Sequence, residues 1–306
     1  MSQHIAVLLG GWSAEREVSL VSGAAVAAAL EERGFRVTRI DVSRDLSALL
    51  AALAPHPDVV FNALHGRGGE DGTIQGVLDI LGLLYTHSGM LASAIAMDKK
   101  ATKRLLDSVG IRSPKGMVAT RSQVLSGDII PAPYVLKPNN EGSSVGIQIV
   151  RPGDDKHPAY AENSSHSETV LIEQYIPGHD LTVAVMGDRA LGVTEIRPHS
   201  GFYDYSAKYT DGRATHLIPA PAPQEVLDEA MRMALLAHNT LGCSGVSRSD
   251  FRWDDAIPGR NGVYFLEINT QPGMTSLSLV PEQAAYLGIS FGDLVVWMVE
   301  NAVCHA

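Results

Sequence analysis

Cysteine is scarce in this sequence, with only Cys243 and Cys304 among 306 residues. Their spacing fits no zinc motif, and two thiols give little support for a disulfide framework, so we expect free thiols in a reducing compartment. No apolar run approaches the roughly 20 residues that span a membrane, and the N-terminus lacks a signal-peptide cleavage pattern. The sequence therefore predicts a cytoplasmic protein without a membrane partner.

Positive charge is also in short supply. The 24 Lys and Arg residues are outnumbered by 34 Asp and Glu residues, which gives a formal charge of −10 at pH 7. Nucleic acids and anionic membranes favour a basic protein face, so neither is expected as the main partner. Hydrophobic residues make up 45% and charged residues 19% of the chain, as in globular proteins with a substantial core. The length allows two or three domains.

The first third of the chain alternates short apolar runs with helical patterns. Predicted strands lie at 4–9, 35–41 and 58–64, and predicted helices lie at 14–33 and 45–53. This alternation predicts a parallel sheet with helices on both faces, whose ligands gather at the carboxyl ends of the strands. The glycine-containing stretches LGGWSAERE and LHGRGGEDG both follow such strand ends.

The pattern changes from Asp98 onward. A basic helix extends from Asp98 to Gly110, and a strongly periodic helix lies between Pro223 and Gly242. Further strands are predicted at 134–137, 145–150, 169–176, 181–186, 244–253 and 262–269, and a last helix at 291–304. We place the domains at 1–97, 98–180 and 181–306.

The stretch LGGWSAEREVS contains an unusual helix start. A glycine turn leads from a strand into a helix whose first turn holds Glu15, Arg16 and Glu17. Helix N-termini attract anions, but carboxylates at this position would repel a phosphate and suit a ligand with an ammonium group. The same point argues against a dinucleotide oxidoreductase, because the stretch is not GxGxxG and its carboxylates would face the pyrophosphate.

Oxygen ligands for a metal ion are expected near the C-terminus. Glu267 and Asn269 are two residues apart on a predicted strand and share a face, and Asp250 on the preceding strand offers a third oxygen. Carboxylate and amide oxygens suit a hard cation such as Mg²⁺. The alternative is a polar strand face in water.

Nucleotide-binding groups are predicted in the middle of the chain. Lys137 ends a strand and precedes NNEGSSVG, a loop whose N–H and hydroxyl groups would wrap a triphosphate. The loop is not a Walker A motif, because its lysine precedes the glycines. Lys99 offers a second cation, and Glu173 and Asp180 offer carboxylates for adenine and ribose. Taken singly, these features also fit a structural lysine, a solvated basic helix and an ordinary strand–turn–strand.

Together, the motifs resemble one family over essentially the whole chain and in the same order. They are LLGGWSAEREVSLVSG, ALHGRGGEDGTIQG, AMDKKATK, VLKPNNEGSSVG, VLIEQYIPG, FYDYSAKY and FLEINTQPGMTSLSLVP. The sequence is similar to the D-alanine–D-alanine ligases of the ATP-grasp superfamily. The resemblance implies an α/β fold, with an N-terminal parallel αβα domain followed by a two-domain ATP-grasp module. It further implies that ATP phosphorylates the carboxylate of one D-alanine and that a second D-alanine displaces the phosphate, for peptidoglycan synthesis.

The resemblance also implies roles for particular residues. Glu15 and His65 would bind the first D-alanine, and Lys208 and Ser278 the carboxylate of the second. The catalytic residues implied are Glu15, Ser143, Tyr209, Arg248, Gly273 and Ser278, with a closing loop at 199–212. The ATP ligands implied are Lys99, Lys137, Ser143, Ser144, Glu173, Gln174, Ile176, Asp180, Lys208 and Asn269. Asp250, Glu267 and Asn269 would bind two Mg²⁺ ions, for which Mn²⁺ is an acceptable substitute.

Departures and alternatives accompany this assignment. Asp180 stands where the family more often has glutamate, which is one methylene longer. One alternative is a depsipeptide ligase that joins D-alanine to D-lactate, but the resemblance associates Tyr209 with the dipeptide. A non-catalytic nucleotide sensor is the other alternative, and it would be expected to lack some of the charged positions. The family resemblance also implies a homodimer.

Overall fold

The computed structural model describes residues 2–127, 129–140, 146–154, 169–199 and 212–306. Its named strands form three sheets, one parallel and two antiparallel. None of the described helices combines the length and the apolar character needed to cross a bilayer. The α/β fold class expected from the sequence is confirmed.

The first sheet is parallel and has the strand order β2-β1-β3. Its strands are β1 (His4–Gly10), β2 (Arg36–Val42) and β3 (Val59–Asn62), and its helices are α1 (Arg16–Glu32), α2 (Leu46–Ala52), α3 (Thr73–Ile80) and α4 (Met90–Met97). All 7 residues of β1 are buried. Because successive side chains point to opposite faces, Val7 packs towards α1 while Leu8 packs towards α2 and α3. Helices therefore cover both faces, as predicted.

The second sheet is antiparallel and has the order β4-β7-β5-β6. The elements of this part are α5 (Lys99–Asp107), β4 (Gly116–Thr120), α6 (Arg121–Ser126), β5 (Tyr134–Pro138), β6 (Gln148–Val150) and β7 (Thr169–Gln174). The carboxylate of Asp98 accepts a hydrogen bond from the backbone N–H of Ala101 at 2.8 Å. This N-cap fixes where α5, which begins with Lys99, leaves the preceding chain.

The third sheet has five antiparallel strands in the order β10-β9-β8-β11-β12. The elements are β8 (His179–Met186), β9 (Arg189–Pro198), β10 (Ala214–Leu217), α7 (Gln224–Leu241), β11 (Val246–Trp253), a 3₁₀ turn (Gly259–Gly262), β12 (Val263–Asn269), α8 (Leu279–Tyr286) and α9 (Phe291–Glu300). Pro223 and Gly242 flank α7, as predicted. The helix covers one face of the sheet, and its Ala230 and Ala234 share a core with Phe251.

The pairing of β11 with β12 contains one irregularity. Asp250 lies opposite Glu267, but the next residue, Phe251, lies opposite Phe265, so Leu266 is left without a partner in β11. Phe265 and Ile268 belong to the core beneath α7. Leu266 instead lines a cleft on the other side of the sheet.

The C-terminal segment returns to the first sheet. Leu294 and Met298 of α9 belong to the same core as Val26 of α1. The predicted helix over 291–304 is wrong at its end, because α9 stops at Glu300 and the chain becomes extended. Val303 then pairs antiparallel with Tyr85 through two backbone hydrogen bonds of 3.0 and 3.2 Å, which a helical backbone would not make.

Several elements have no counterpart among the sequence predictions, namely β4, β9, β10, α3, α4, α6 and α8. Most of them lie next to predicted elements and share their cores. The domain boundaries at 97/98 and 180/181 stay predictions, and β8 begins at His179, just before the second one.

Candidate active site

Glu15 lies in the turn that joins β1 to α1, and its side chain is buried. Its backbone N–H donates to Ser13 Oγ at 3.1 Å, and that hydroxyl donates to the carbonyl of His65 at 2.6 Å. Ser13 thereby ties the first loop to the loop after β3. Gly66 has φ +68, and a Cβ there would lie 3.2 Å from Glu15 Oε1, so a side chain would crowd the carboxylate.

A second buried carboxyl group, Glu70, shares this pocket and was not identified from the sequence. Its Oε1 accepts a hydrogen bond from the backbone N–H of Gly66. Burial, followed by the negative charge of Glu15, raises the pKa of Glu70 to about 8. The available signal was its position in LHGRGGEDG at the carboxyl end of a parallel strand.

His65 connects the first loops to the C-terminal part of the chain. Its Nε2 is hydrogen-bonded to Ser22 Oγ at 3.2 Å, and the same hydroxyl accepts from the backbone N–H of Met274 at 3.2 Å. Burial lowers the pKa of His65 to about 4, so the imidazole is neutral at pH 7. Nearby, the Asn62 side-chain amide donates to Gln271 Oε1, and Gln271 Nε2 donates in return to the backbone carbonyl of Asn62. The pocket of Glu15 is therefore closed on one side by the segment after β12.

Gly273 and Ser278 lie together in that segment. A Cβ on Gly273 would come within 2.8 Å of Ser278 Oγ, so this contact requires glycine. Ser278 Oγ also accepts from the backbone N–H of Thr275 at 2.9 Å. The two positions that the resemblance assigns to the oxyanion and to the second D-alanine are thus neighbours.

The four charged or amide side chains predicted on the last strands share one face of the sheet. Asp250 lies opposite Glu267, and Arg248 lies opposite Asn269. Arg248 Nε and Nη2 donate to the two carboxylate oxygens of Asp250 at 2.9 and 3.0 Å. Lys99 Nζ lies 3.2 Å from Glu267 Oε2. The strand alternation inferred from the sequence therefore brings these residues together.

The donor set on this face fits a magnesium ion. The residues that the structure describes contain no group of three or more His, Cys, Asp or Glu side chains that could hold a metal ion by themselves. The chain offers two carboxylates and the Asn269 amide oxygen, which are hard oxygen donors. Mg²⁺ commonly takes one or two carboxylates and completes its coordination with substrate phosphates and water. Assignment of the metal to Asp250, Glu267 and Asn269 stays a prediction.

A cleft of about 520 Å³ lies between the second and third sheets. Five of the predicted ATP ligands line it, namely Lys137, Glu173, Gln174, Ile176 and Asp180. Asp180 pairs with Arg252 Nη1 at 2.8 Å. Apolar walls are contributed by Val135, Ile149 and Leu266, which gives the cleft both apolar and charged surfaces.

Glu173 lies at the base of this cleft between two lysines. Glu173 is opposite Val135 in β5, so Lys137, two residues further, faces the same side and its Nζ lies 2.6 Å from Glu173 Oε2. The other oxygen of Glu173 pairs with Lys103 of α5. Burial alone would raise the pKa of Glu173, but the two ammonium groups hold it below its usual value. Burial and then repulsion by Lys137 lower the pKa of Lys103 to about 7.

Lys103 is thus a second residue that sequence analysis missed. The helical pattern allowed α5 to be a solvated basic helix, yet both Lys99 and Lys103 are buried. The available signal was their spacing of four residues, which places both ammonium groups on one face of α5.

Four of the predicted site residues lie outside the described residues. They are Ser143, Ser144, Lys208 and Tyr209. Nearly all of the predicted closing loop, 199–212, also lies there. Their roles stay predictions.

A cleft between two antiparallel sheets, with lysines at its base and oxygen donors at one end, is the architecture of the ATP-grasp ligases. A crystal structure of D-alanine–D-alanine ligase from Bacillus anthracis, complexed with ATP, has a TM-score of 0.80 and 32% identity to this chain, covering 98% of this chain and 97% of its own. The model of the D-ala D-ala ligase C-terminus matches residues 116–300, and that of the N-terminus matches residues 47–88.

Sequence relatives agree with the structural comparison. A D-alanine–D-alanine ligase from Rhizorhabdus wittichii is 57% identical over 305 residues, which cover 98% of this chain and 96% of the relative. Another from Caulobacter sp. is 56% identical over 307 residues, which cover 98% and 94%. The chain belongs to the D-alanine–D-alanine ligase family.

Proposed function

We propose that the protein is an ATP-dependent ligase that converts two D-alanine molecules and ATP into D-alanyl-D-alanine, ADP and phosphate. The carboxylate of the first D-alanine takes the γ-phosphoryl group of ATP and becomes an acyl phosphate. The amino group of the second D-alanine attacks that carbonyl, and phosphate leaves. Phosphorylation is needed because a free carboxylate is a poor electrophile.

The observation that carries this proposal is the convergence of two separate segments on one pocket. The turn before α1 contributes Glu15 and loop 65–72 contributes Glu70, and both carboxyl groups lie against Gly66. The segment that follows Gly273 is tied to α1 by the hydrogen bond from the Met274 N–H to Ser22 Oγ. The electrostatic field of Arg248 and Lys99 reaches Glu70, so the pocket and the metal-binding face lie close together. An amino acid gripped here by its ammonium group would direct its carboxylate towards those cations and the nucleotide cleft. The D-alanine–D-alanine ligase relatives, more than half identical over the whole chain, support D-alanine as that amino acid.

Individual residues of the chain are assigned to substrate binding, ATP binding and stabilisation of the tetrahedral intermediate. Glu15 pairs with the ammonium group of the first D-alanine, with the neutral His65 beside it. Lys99 and Lys137 take the phosphate oxygens of ATP, and Gln174 and Ile176 supply backbone groups for adenine. Arg248 and the Gly273 N–H stabilise the negative oxygen that forms when the carbonyl is attacked, and Ser278 receives the carboxylate of the second D-alanine.

Magnesium belongs to the proposal as a bound group held by Asp250, Glu267 and Asn269. When bound, it neutralises charge on the phosphate oxygens and thereby favours phosphoryl transfer. Arg248 and Lys99 lie beside these carboxylates and provide positive charge there.

The cellular setting follows from the reaction. We place the ligase in the cytoplasm, where ATP is available and free thiols such as Cys243 and Cys304 persist, and in the supply of precursors for peptidoglycan. The three sheets support the proposed division into three domains. A homodimer is also proposed, and the exposed apolar side chains of Ile80 on α3 and Leu91 on α4 offer a surface for it.

One assay tests the reaction itself. ADP release should depend on D-alanine, and mass spectrometry should find D-alanyl-D-alanine as the product. Absence of D-alanine-dependent ADP release would contradict the proposal. Tyr209, which the resemblance associates with the dipeptide, lies outside the described residues. A second assay therefore offers D-alanine and D-lactate together at neutral pH and identifies whether the product is the dipeptide or the depsipeptide. Predominant depsipeptide would replace the substrate assignment.

A further inference from the structure

Lys103 has no role in the reaction described above, although it is a buried lysine that pairs with Glu173 in the wall of the nucleotide cleft. It projects from α5, four residues after Lys99, and is 8% exposed. A buried ammonium group is costly unless it is paired, and Lys103 is paired with one oxygen of Glu173. In α5, Lys99 thus pairs with Glu267 on the third sheet, and Lys103 pairs with Glu173 on the second.

Glu173 contacts two lysines, each through a different carboxylate oxygen. One of its oxygens contacts Lys103, and the other lies 2.6 Å from the ammonium group of Lys137. Glu173 is 2% exposed and Lys137 is 6% exposed, so water screens these charges poorly. One carboxylate therefore contacts both cations directly, and the negative charge of Glu267 acts on both lysines from further away.

We propose that Lys103 is a positioning residue for ATP binding, which acts by holding Glu173 so that the ammonium group of Lys137 stays available to the phosphates. Without Lys103, the carboxylate is free to turn both oxygens to Lys137 and form a closed pair with it. An anionic phosphate would then have to compete with Glu173 for Lys137. The inference rests on the proposed function only in taking the cleft as the ATP site.

The first experiment is direct ATP binding by calorimetry, without D-alanine, to Lys103→Met and wild-type protein. Methionine keeps the length and the apolar stem of lysine but lacks the charge. We expect ATP affinity to fall on the order of tenfold, because a charge is lost next to poorly screened partners. The matched control is Arg104→Met, which removes a positive charge from an exposed position of the same helix and should leave ATP affinity unchanged.

A double-mutant cycle separates positioning from simple support of the fold. In the Glu173→Gln background there is no carboxylate left to capture Lys137, so adding Lys103→Met should change ATP affinity by less than about threefold. The cycle cancels any direct contact that Glu173 makes with the nucleotide. Lys103→Arg, which keeps the charge, should retain affinity close to that of the wild type. Melting temperatures of all variants report any loss of structure separately.

Three results would overturn the inference. They are an unchanged ATP affinity in Lys103→Met, an equal loss in Arg104→Met, and the same fold-loss from Lys103→Met in both backgrounds. Failure of the proposed function would look different. In that case the wild type would bind ATP and respond to these substitutions, yet release no ADP with D-alanine.

Discussion

The two ends of the site have opposite excesses of buried charge. At the amino-acid end, Glu15 and Glu70 lie together around Gly66, and the pKa of the adjacent His65 is lowered so that its imidazole is neutral at pH 7. At the nucleotide end, Lys103 and Lys137 share the single carboxylate of Glu173. The amino-acid end is therefore rich in buried carboxyl groups, and the nucleotide end is rich in buried ammonium groups.

Under the proposed function, this difference lets one chain bind an ammonium group at one end and a polyanion at the other. Both sites lie near the start of a helix, where the backbone N–H groups favour anions. At α1 the carboxylates reverse that preference and prepare the pocket for an ammonium group. At α5 the lysines reinforce it and prepare the cleft for phosphates. Under the proposed function, the side chains gathered near each helix start, rather than the helix itself, determine which ligand binds.

The largest effect is expected at the amino-acid end. Glu15→Gln should raise the KM for the first D-alanine by roughly 100-fold, because loss of one member of a buried charge pair costs about 2–5 kcal/mol. ATP affinity should stay nearly unchanged, since Glu15 lies outside the nucleotide cleft. Steady-state kinetics and calorimetry measure the two quantities. Glu17→Gln, on the exposed side of the same helix turn, is the control, and unaltered D-alanine kinetics in Glu15→Gln would refute the assignment.

A smaller effect is expected from the second carboxyl of that pocket. The pKa of Glu70 is raised from 4.5 to about 8, so the folded protein holds this proton more tightly than the unfolded chain. The stabilising contribution is therefore present below about pH 4.5 and lost as the pH rises towards 8. Glu70→Gln removes the titration, so its free energy of unfolding should gain about 2 kcal/mol relative to wild type between pH 6.5 and 8.5. Urea titrations at both pH values measure this, and parallel pH profiles for variant and wild type would contradict it.

The smallest effect concerns the glycine between the two carboxyl groups. Gly66→Ala should destabilise the protein by about 1–2 kcal/mol, since a side chain at positive φ is strained, and should also raise the KM for D-alanine. Gly110→Ala is the matched control, because Gly110 has φ +80 but nothing within 4 Å of its added Cβ. The control should lose stability without any change in KM. Equal KM values for the two variants would contradict a steric effect of the side chain at position 66 on the Glu15 carboxylate.

Local sequence patterns correctly predicted the helices and strands whose formation depends on residues close together in the chain. The apolar runs around β1 predicted the parallel sheet, and the four-residue period between Pro223 and Gly242 predicted α7. Alternation along β12 placed Glu267 and Asn269 on one face, and the pairing of Asp250 with Glu267 is as expected. The hairpin of β8 and β9 was missed, although Gly187 and Asp188 between two apolar runs are a turn signal.

Long-range pairing could not be predicted in the same way. The burial of Lys103 depends on Glu173, which lies 70 residues further along the chain. Glu70 is buried because the loop after β3 folds against Glu15, and nothing within its own motif requires this. The extended tail at Val303 likewise depends on Tyr85. In each case a side chain or backbone group interacts with a residue that the helical or strand periodicity of the local sequence does not indicate.

The unpaired Leu266 gives the last strand a property that strict alternation forbids. Two consecutive side chains, Leu266 and Glu267, are available on the ligand side of the sheet, while Phe265 and Ile268 stay in the core. A hydrocarbon surface suited to a flat base and an acid suited to a metal thus stand side by side on one strand. Removing a single residue here would send one of them into the interior, so the distance between base and metal is set by the length of the backbone.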